Sequence, residues 1–135
     1  MAAQKGKDLL LKVDNGGSFT TVAGLRTKRL AFNSETVDVT DSDSTGRWRE
    51  LLAGSGVQRA SLSGAGIFKD AQSDALIRTA FFGGSVTSWQ FAIPDFGTVQ
   101  GPFQVTSLEY TANHDGEVTF EIALESAGAI EFAAA

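Results

Sequence analysis

The chain has no cysteine, one histidine, one tyrosine, one methionine and two prolines among its 135 residues. Without cysteine there is no disulfide framework, no thiolate metal site and no cysteine nucleophile. A single imidazole, His114, excludes any site built on two histidines. No apolar run approaches the ~18 residues of a membrane span, and Leu9-Leu10-Leu11 behind Lys5 and Lys7 is too short for a signal-peptide core. The expectation is a cytoplasmic protein with no membrane partner. Positive charge is also scarce: 11 Lys and Arg against 16 Asp and Glu leave a net charge of −5. An acidic domain repels phosphate backbones, which disfavours specific nucleic-acid binding.

What the chain does have is bulk and alternation. Ten Phe and two Trp, within 42% hydrophobic residues, supply a core for one domain spanning 1–135. Fifteen glycines point to tight turns. Leu9, Leu11 and Val13 share one face of a strand over 8–13, and Asp14-Asn15-Gly16-Gly17 reads as a hairpin turn into Phe19–Ala23. Strands are predicted over 25–32 and 36–40, the latter with Val37 and Val39 inward. A strand over 57–68 places Ala60, Leu62, Gly64, Gly66 and Phe68 on one side, small enough for a close backbone approach. The period then changes. From Asp70 as N-cap, Leu76, Ile77, Ala80 and Phe81 fall at helical spacing, and Gly83-Gly84 ends the helix. Alternation returns at Trp89, Phe91 and Ile93, continues from Gly101-Pro102 through Thr111, and ends with Val118, Phe120, Ile122 and Leu124. The predicted fold is mainly β: two packed antiparallel sheets, a sandwich or partial barrel, with one flanking α-helix. A polar loop over about 41–56 interrupts it, and short terminal arms are expected over about 1–6 and 127–135.

Candidate chemistry is sparse. Asp41, Asp43, Thr45 and Gly46 match the start of a calcium loop, but Leu52 stands where the bidentate Glu belongs. His114-Asp115 lies in a turn, and no serine occupies a Gly-x-Ser-x-Gly elbow. Gly54-Ser55-Gly56 and Gly64-Ala65-Gly66 open no helix. The reading is a non-enzyme with no catalytic, cofactor or metal residues. Trp48, with Leu51 and Leu52, forms an amphipathic cluster that is either folded under the loop or shown to a partner.

The order of motifs resembles the major tail (tail tube) proteins of long-tailed bacteriophages, especially the tube subunit of phage-derived gene transfer agents. The resemblance runs from Lys7–Val13 through Val22-Ala23-Gly24-Leu25-Arg26-Thr27, Val37-Asp38-Val39-Thr40, Trp48-Arg49-Glu50-Leu51-Leu52 and Pro94-Asp95-Phe96-Gly97. It ends in Gly101-Pro102-Phe103, Leu108-Glu109-Tyr110 and His114-Asp115-Gly116-Glu117. It implies a virion structural protein whose homohexameric rings stack into a tube for DNA ejection. Other tail proteins sit at the tube ends, a tape-measure protein lies inside during assembly, and DNA passes without sequence-specific binding. Assembly is expected in the bacterial cytoplasm and the final location in the particle tail. A domain of this length has a radius of gyration of only about 14 Å, so only an oligomer encloses a duplex.

Two surfaces become candidates. Trp48, Leu51 and Leu52 are expected at a subunit interface. The alternation of the last strand places Glu117, Thr119, Glu121 and Glu125 opposite the core, and with Glu109 these carboxylates are candidates for the tube lumen, on a face without cations to hold DNA. A monomeric carbohydrate-binding β-sandwich using Trp48, Trp89 or Phe96, or the tube of a contractile injection or secretion machine, are the competing readings.

Overall fold

In the computed structural model, which describes residues 5–54 and 56–134, the strands are β1 (Leu10–Asn15), β2 (Ser18–Thr21), β3 (Leu25–Ser34), β4 (Val37–Asp38), β5 (Leu51–Leu52), β6 (Gln58–Ile67), β7 (Thr87–Ile93), β8 (Gly97–Ala112), β9 (Val118–Ser126) and β10 (Glu131–Ala134). The helix α1 (Gln72–Gly83) lies between β6 and β7. Residues 1–4 and 135 of the expected arms, and Ser55 of the expected loop, lie outside the described residues.

The main sheet is antiparallel in the order β2-β1-β7-β8-β9-β6-β3, with β10 added to β8. The 16-residue β8 holds different partners along its length. Gly97–Phe103 pairs with β7, Gly97–Gln100 also pairs with β10, and Phe103–Ala112 pairs with β9. A register shift between Val105 and Ser107 marks a bulge just past this handover. Bulges bend a strand and sharpen its twist, so here one hydrogen-bonded sheet folds into two packed halves. Leu11, Val13, Trp89, Phe91 and Val99 come from the first half, and Leu62, Phe120, Ile122 and Leu124 from the second. All join one buried cluster with Ile77 and Ala80 of α1. Trp89 is 0% exposed. Burying side chains of this kind stabilises the fold by roughly 1.5–3 kcal/mol each.

The close approach expected along 57–68 is present. A Cβ at Gly66 would collide with the Gly24 carbonyl and lie 2.7 Å from Leu25 Cα. The β1–β2 turn uses Gly16 at φ 67° and Gly17 at φ 109°, as its Asn-Gly-Gly sequence requires.

Four local expectations change. The helix N-cap is Ala71, not Asp70, whose backbone sits at φ 52°. The capping carboxylate comes from inside the first turn: Asp74 accepts the Ala71 N–H at 2.9 Å, where it also complements the helix dipole. Val37 and Val39 are exposed because β4 leaves the main sheet and pairs only with β5, so no layer covers them. Val118 is 37% exposed rather than core, since it pairs with Ala112 beside the Asn113–Gly116 turn, beyond the rim of the cluster. Finally, residues 131–134 of the expected C-terminal arm form β10, and Phe132 meets Phe96 edge-on at 5.3 Å between ring centroids.

Candidate functional site

The long polar loop expected over about 41–56 is present, carried as the tip of a hairpin arm closed by β4 and β5. Val37 and Asp38 pair with Leu52 and Leu51, and the Val39 N–H continues the ladder to the Glu50 carbonyl at 3.0 Å. Thr40 adds a clasp, its Oγ1 accepting the Glu50 N–H at 2.7 Å. At the tip, Asp41 and Ser44 satisfy each other's turn: the Asp41 N–H donates to Ser44 Oγ and the Asp43 N–H to the Asp41 carboxylate. The Asp41 carboxylate therefore caps a turn, and no cluster of three His, Asp or Glu able to hold a metal occurs among the described residues. Thr40, through its hydroxyl and its N–H, holds the Asp38 carboxyl below its usual range, with Arg49 adding a smaller effect. Hydrogen bonds recorded for the described residues of 36–52 close within the arm, and Ser44 is the buried side chain of that stretch.

Trp48 is therefore displayed rather than folded under. It is 77% exposed, leans on Gly46, and is flanked by Arg47 and Arg49; Leu51 and Leu52 are exposed on the same arm.

The carboxylate face lies on the outer surface of the half-sheet β8-β9-β6-β3. Register sets Glu109 directly opposite Glu121, while Glu125 faces Gln104 on β8 and Ser61 on β6. Like charges directly opposed across a sheet are destabilising. Glu117 lies before β9 and pairs with Arg26 at 3.3 Å, both side chains more than half exposed. The expectation of a cation-free face is corrected here. Arg29 stands opposite Ser63 and Arg59 opposite Asn33, which puts both arginines on this same outer face. The reason is the pairing of β3 with β6 beside β9, a contact between distant segments. The face is graded, basic toward β3 and acidic toward β8. Between them small residues leave a shallow hollow of about 410 Å³ lined by Arg29, Ser63, Ala65, Ser107, Glu121 and Ala123.

Elsewhere, His114 is an exposed turn residue. Trp89 lies in the core, which removes it from any sugar-stacking platform. Sequence reading missed a groove of about 420 Å³ where Phe32 on β3 and Phe132 on β10 come together with Ile130. Only the pairing of β10 with β8 creates it.

A description of known families covers nearly the whole molecule: the model of the phage tail tube protein family matches residues 3–132. The chain belongs to the phage tail tube protein family. Solved structures agree with this membership. A chain in the virion of a native gene transfer agent particle is 57% identical, with a TM-score of 0.92, over 98% of this tube protein and 100% of that chain. A chain in the tail of an empty gene transfer agent particle, refined helically with C6 symmetry, is likewise 57% identical, with a TM-score of 0.94 and the same coverage. The SPP1 tail tube protein shares the fold at 18% identity and a TM-score of 0.76, covering 97% of this tube protein and 79% of that chain. No curated protein matches the chain. As a member of this family the tube protein is a structural, β-rich subunit.

Proposed function

We propose that this chain is the repeating subunit of a tail tube, closing into hexameric rings that stack into a conduit for DNA. The observation that carries the reading is its 57% identity, over essentially full length, to the chain of a gene transfer agent tail refined with C6 symmetry. The shape of the subunit supports it. The half-sheet β8-β9-β6-β3 ends in two strand edges without a partner among the described residues: the outer edge of β3, and the Gln104–Ala112 edge of β8 beyond β7. Free edges recruit strands, and edge-to-edge joining of identical copies is a heterologous contact that closes into a ring when the rotation fits. Such joining continues the half-sheet around a ring and turns one of its faces to the channel.

In this reading the outer face, with Glu109, Glu121 and Glu125 and with Glu117 near its rim, lines the lumen. Arg26, Arg29 and Arg59 temper its charge, so the wall neither grips DNA through a continuous basic track nor repels it uniformly. The subunit is assembled in the bacterial cytoplasm, meets other tail proteins at the tube ends and a tape-measure protein inside, and ends in the particle tail. Its role is mechanical, with no catalytic step.

Negative-stain microscopy and sedimentation of the concentrated protein test the ring. Six-fold rings or tubes are expected, and a monomer at every concentration would overturn the proposal. Changing Glu109 and Glu121 to Lys tests the lumen assignment. Tubes should still form while DNA delivery slows, most at low salt where screening is weakest. Unimpaired delivery would move this face to the tube exterior.

A further inference from the structure

The ladders of the half-sheet β8-β9-β6-β3 fix the height of each residue, so its two edges can be set against each other. Arg29, Ser63, Ala123 and Ser107 form one row, and Ala31, Ser61, Glu125 and Gln104 form the next. Each strand is antiparallel to its neighbour, which leaves β3 antiparallel to β8. A copy rotated about a ring axis therefore presents its β8 antiparallel to the β3 beside it, and only the register is open. An odd shift would turn the inward side chains of one edge to the outer face, so the shift is even. A zero shift carries Phe32 to the level of Phe103, where β7 already occupies the edge through Thr87 and Ser88. A shift of two residues clears β7 and lays β3, from Asn33 toward Leu25, along the free Gln104–Ala112 edge. It also supplies the stagger that a closed sheet requires. A larger shift leaves the first residues of that edge bare.

At that register both faces of the seam match. On the outer face Arg29 stands directly opposite Glu109 of the next copy, and Asn33 opposite Gln104. Opposed unlike charges stabilise a strand pair, and Arg29 answers the carboxylate that Glu121 repels within its own subunit. On the core side Phe32 falls opposite Val105, a member of the buried cluster that Ile77 and Ala80 of α1 complete. Phe32 is 61% exposed, and Phe82 near the end of α1 is 78% exposed. Arg78, one turn before Phe82 on the same helix face, borders a depression with Tyr110 of β8. That helix face therefore overlooks the free edge of β8. Joining the copies brings the two rings together and takes both from water. Resting on the ring reading above, we infer that β3 of one copy pairs antiparallel with Gln104–Ala112 of the next in this register, Arg29 bridging to Glu109 on the outer face and Phe32 packing on Phe82 behind it. The occupant of each edge is a second copy of this chain, and the seam sets the register of the ring.

The chain has no cysteine, so introduced thiols report without background. Positions 29 and 109 lie on opposite edges of the half-sheet, three strand spacings or about 14 Å apart, too far for a disulfide within one chain. Arg29→Cys with Glu109→Cys in the same chain should give, on mild oxidation of assembled protein, a reducible covalent ladder ending at six copies on denaturing gels. Arg29→Cys with Ser107→Cys, the unshifted register, should crosslink far less. A second measurement is the lowest protein concentration at which rings appear by sedimentation and microscopy. Arg29→Glu and Glu109→Arg should each raise it about fivefold without abolishing assembly, and the two together should restore it. Phe82→Ser, a change at an exposed position, should raise it by a similar factor while leaving urea unfolding of the subunit unchanged. Equal or stronger crosslinking through position 107, rings that do not crosslink through 109, a swap that restores nothing, or an unaltered threshold for Phe82→Ser would overturn the seam while leaving the ring reading intact. Failure of the unaltered chain to form rings or tubes would overturn the ring reading and, with it, the seam.

Discussion

Glu109 and Glu121 face each other directly across β8 and β9, with Thr119 and Ala123 rather than cations beside Glu121 on its strand. In water two unit charges about 6 Å apart repel by roughly 0.7 kcal/mol. Screening reduces this to about 0.6 kcal/mol at ~0.01 M salt and about 0.3 kcal/mol at ~0.15 M. Those values lie inside the range of about 0.2–1 kcal/mol for cross-strand pairs. Changing either residue to Gln keeps its size and hydrogen-bonding shape while removing one charge. Glu109→Gln and Glu121→Gln should therefore each stabilise the isolated subunit by about 0.6 kcal/mol at low salt, falling to about 0.3 kcal/mol near physiological salt. The double variant should gain little beyond either single change, since the repulsion is lost only once. Urea unfolding followed by tryptophan fluorescence measures this at each salt concentration, because urea adds no ionic strength. A destabilising Gln, or a gain independent of salt, would refute the reasoning.

Gly66→Ala should destabilise by about 1–3 kcal/mol or more, because the new Cβ meets the backbone of Gly24 and Leu25 rather than a movable side chain; an unchanged thermal midpoint would contradict that. Ser73→Ala strands the Ala23 N–H, which donates to the buried Ser73 hydroxyl at 3.0 Å, and should cost about 1–3 kcal/mol in urea unfolding. Tyr110 is the single tyrosine, so near-ultraviolet titration reads it without overlap. Desolvation, reinforced by the charge of Asp74 and opposed by Arg78, raises its pKa above the ordinary value of about 10. Its contribution to stability is thus complete below the ordinary phenol range and lost as pH climbs through the raised pKa. Arg78→Gln should move the midpoint higher still, and a midpoint at or below the ordinary value would count against this environment.

Side-chain alternation is a local property, and it was readable. Phe120, Ile122 and Leu124 against Glu121 and Glu125, Trp89 with Phe91, and the helical spacing of Ile77 and Ala80 all record which face meets the core, because a residue's direction on a strand or helix depends only on its own backbone. The small residues of β6 likewise announced a close neighbour. Which neighbour was not readable. The arginines of β3 and β6 reach the carboxylate face only through pairings with segments far along the chain, and the groove beside Phe132 exists only because β10 docks on β8. Val37 and Val39 carry a strand's alternation, yet they are exposed because no layer was left to cover them. Trp48 was open to two readings for the same reason. Its sequence made it amphipathic, but exposure depends on whether another part of the chain lies over it, and the self-contained hydrogen bonding of the arm left it in solvent.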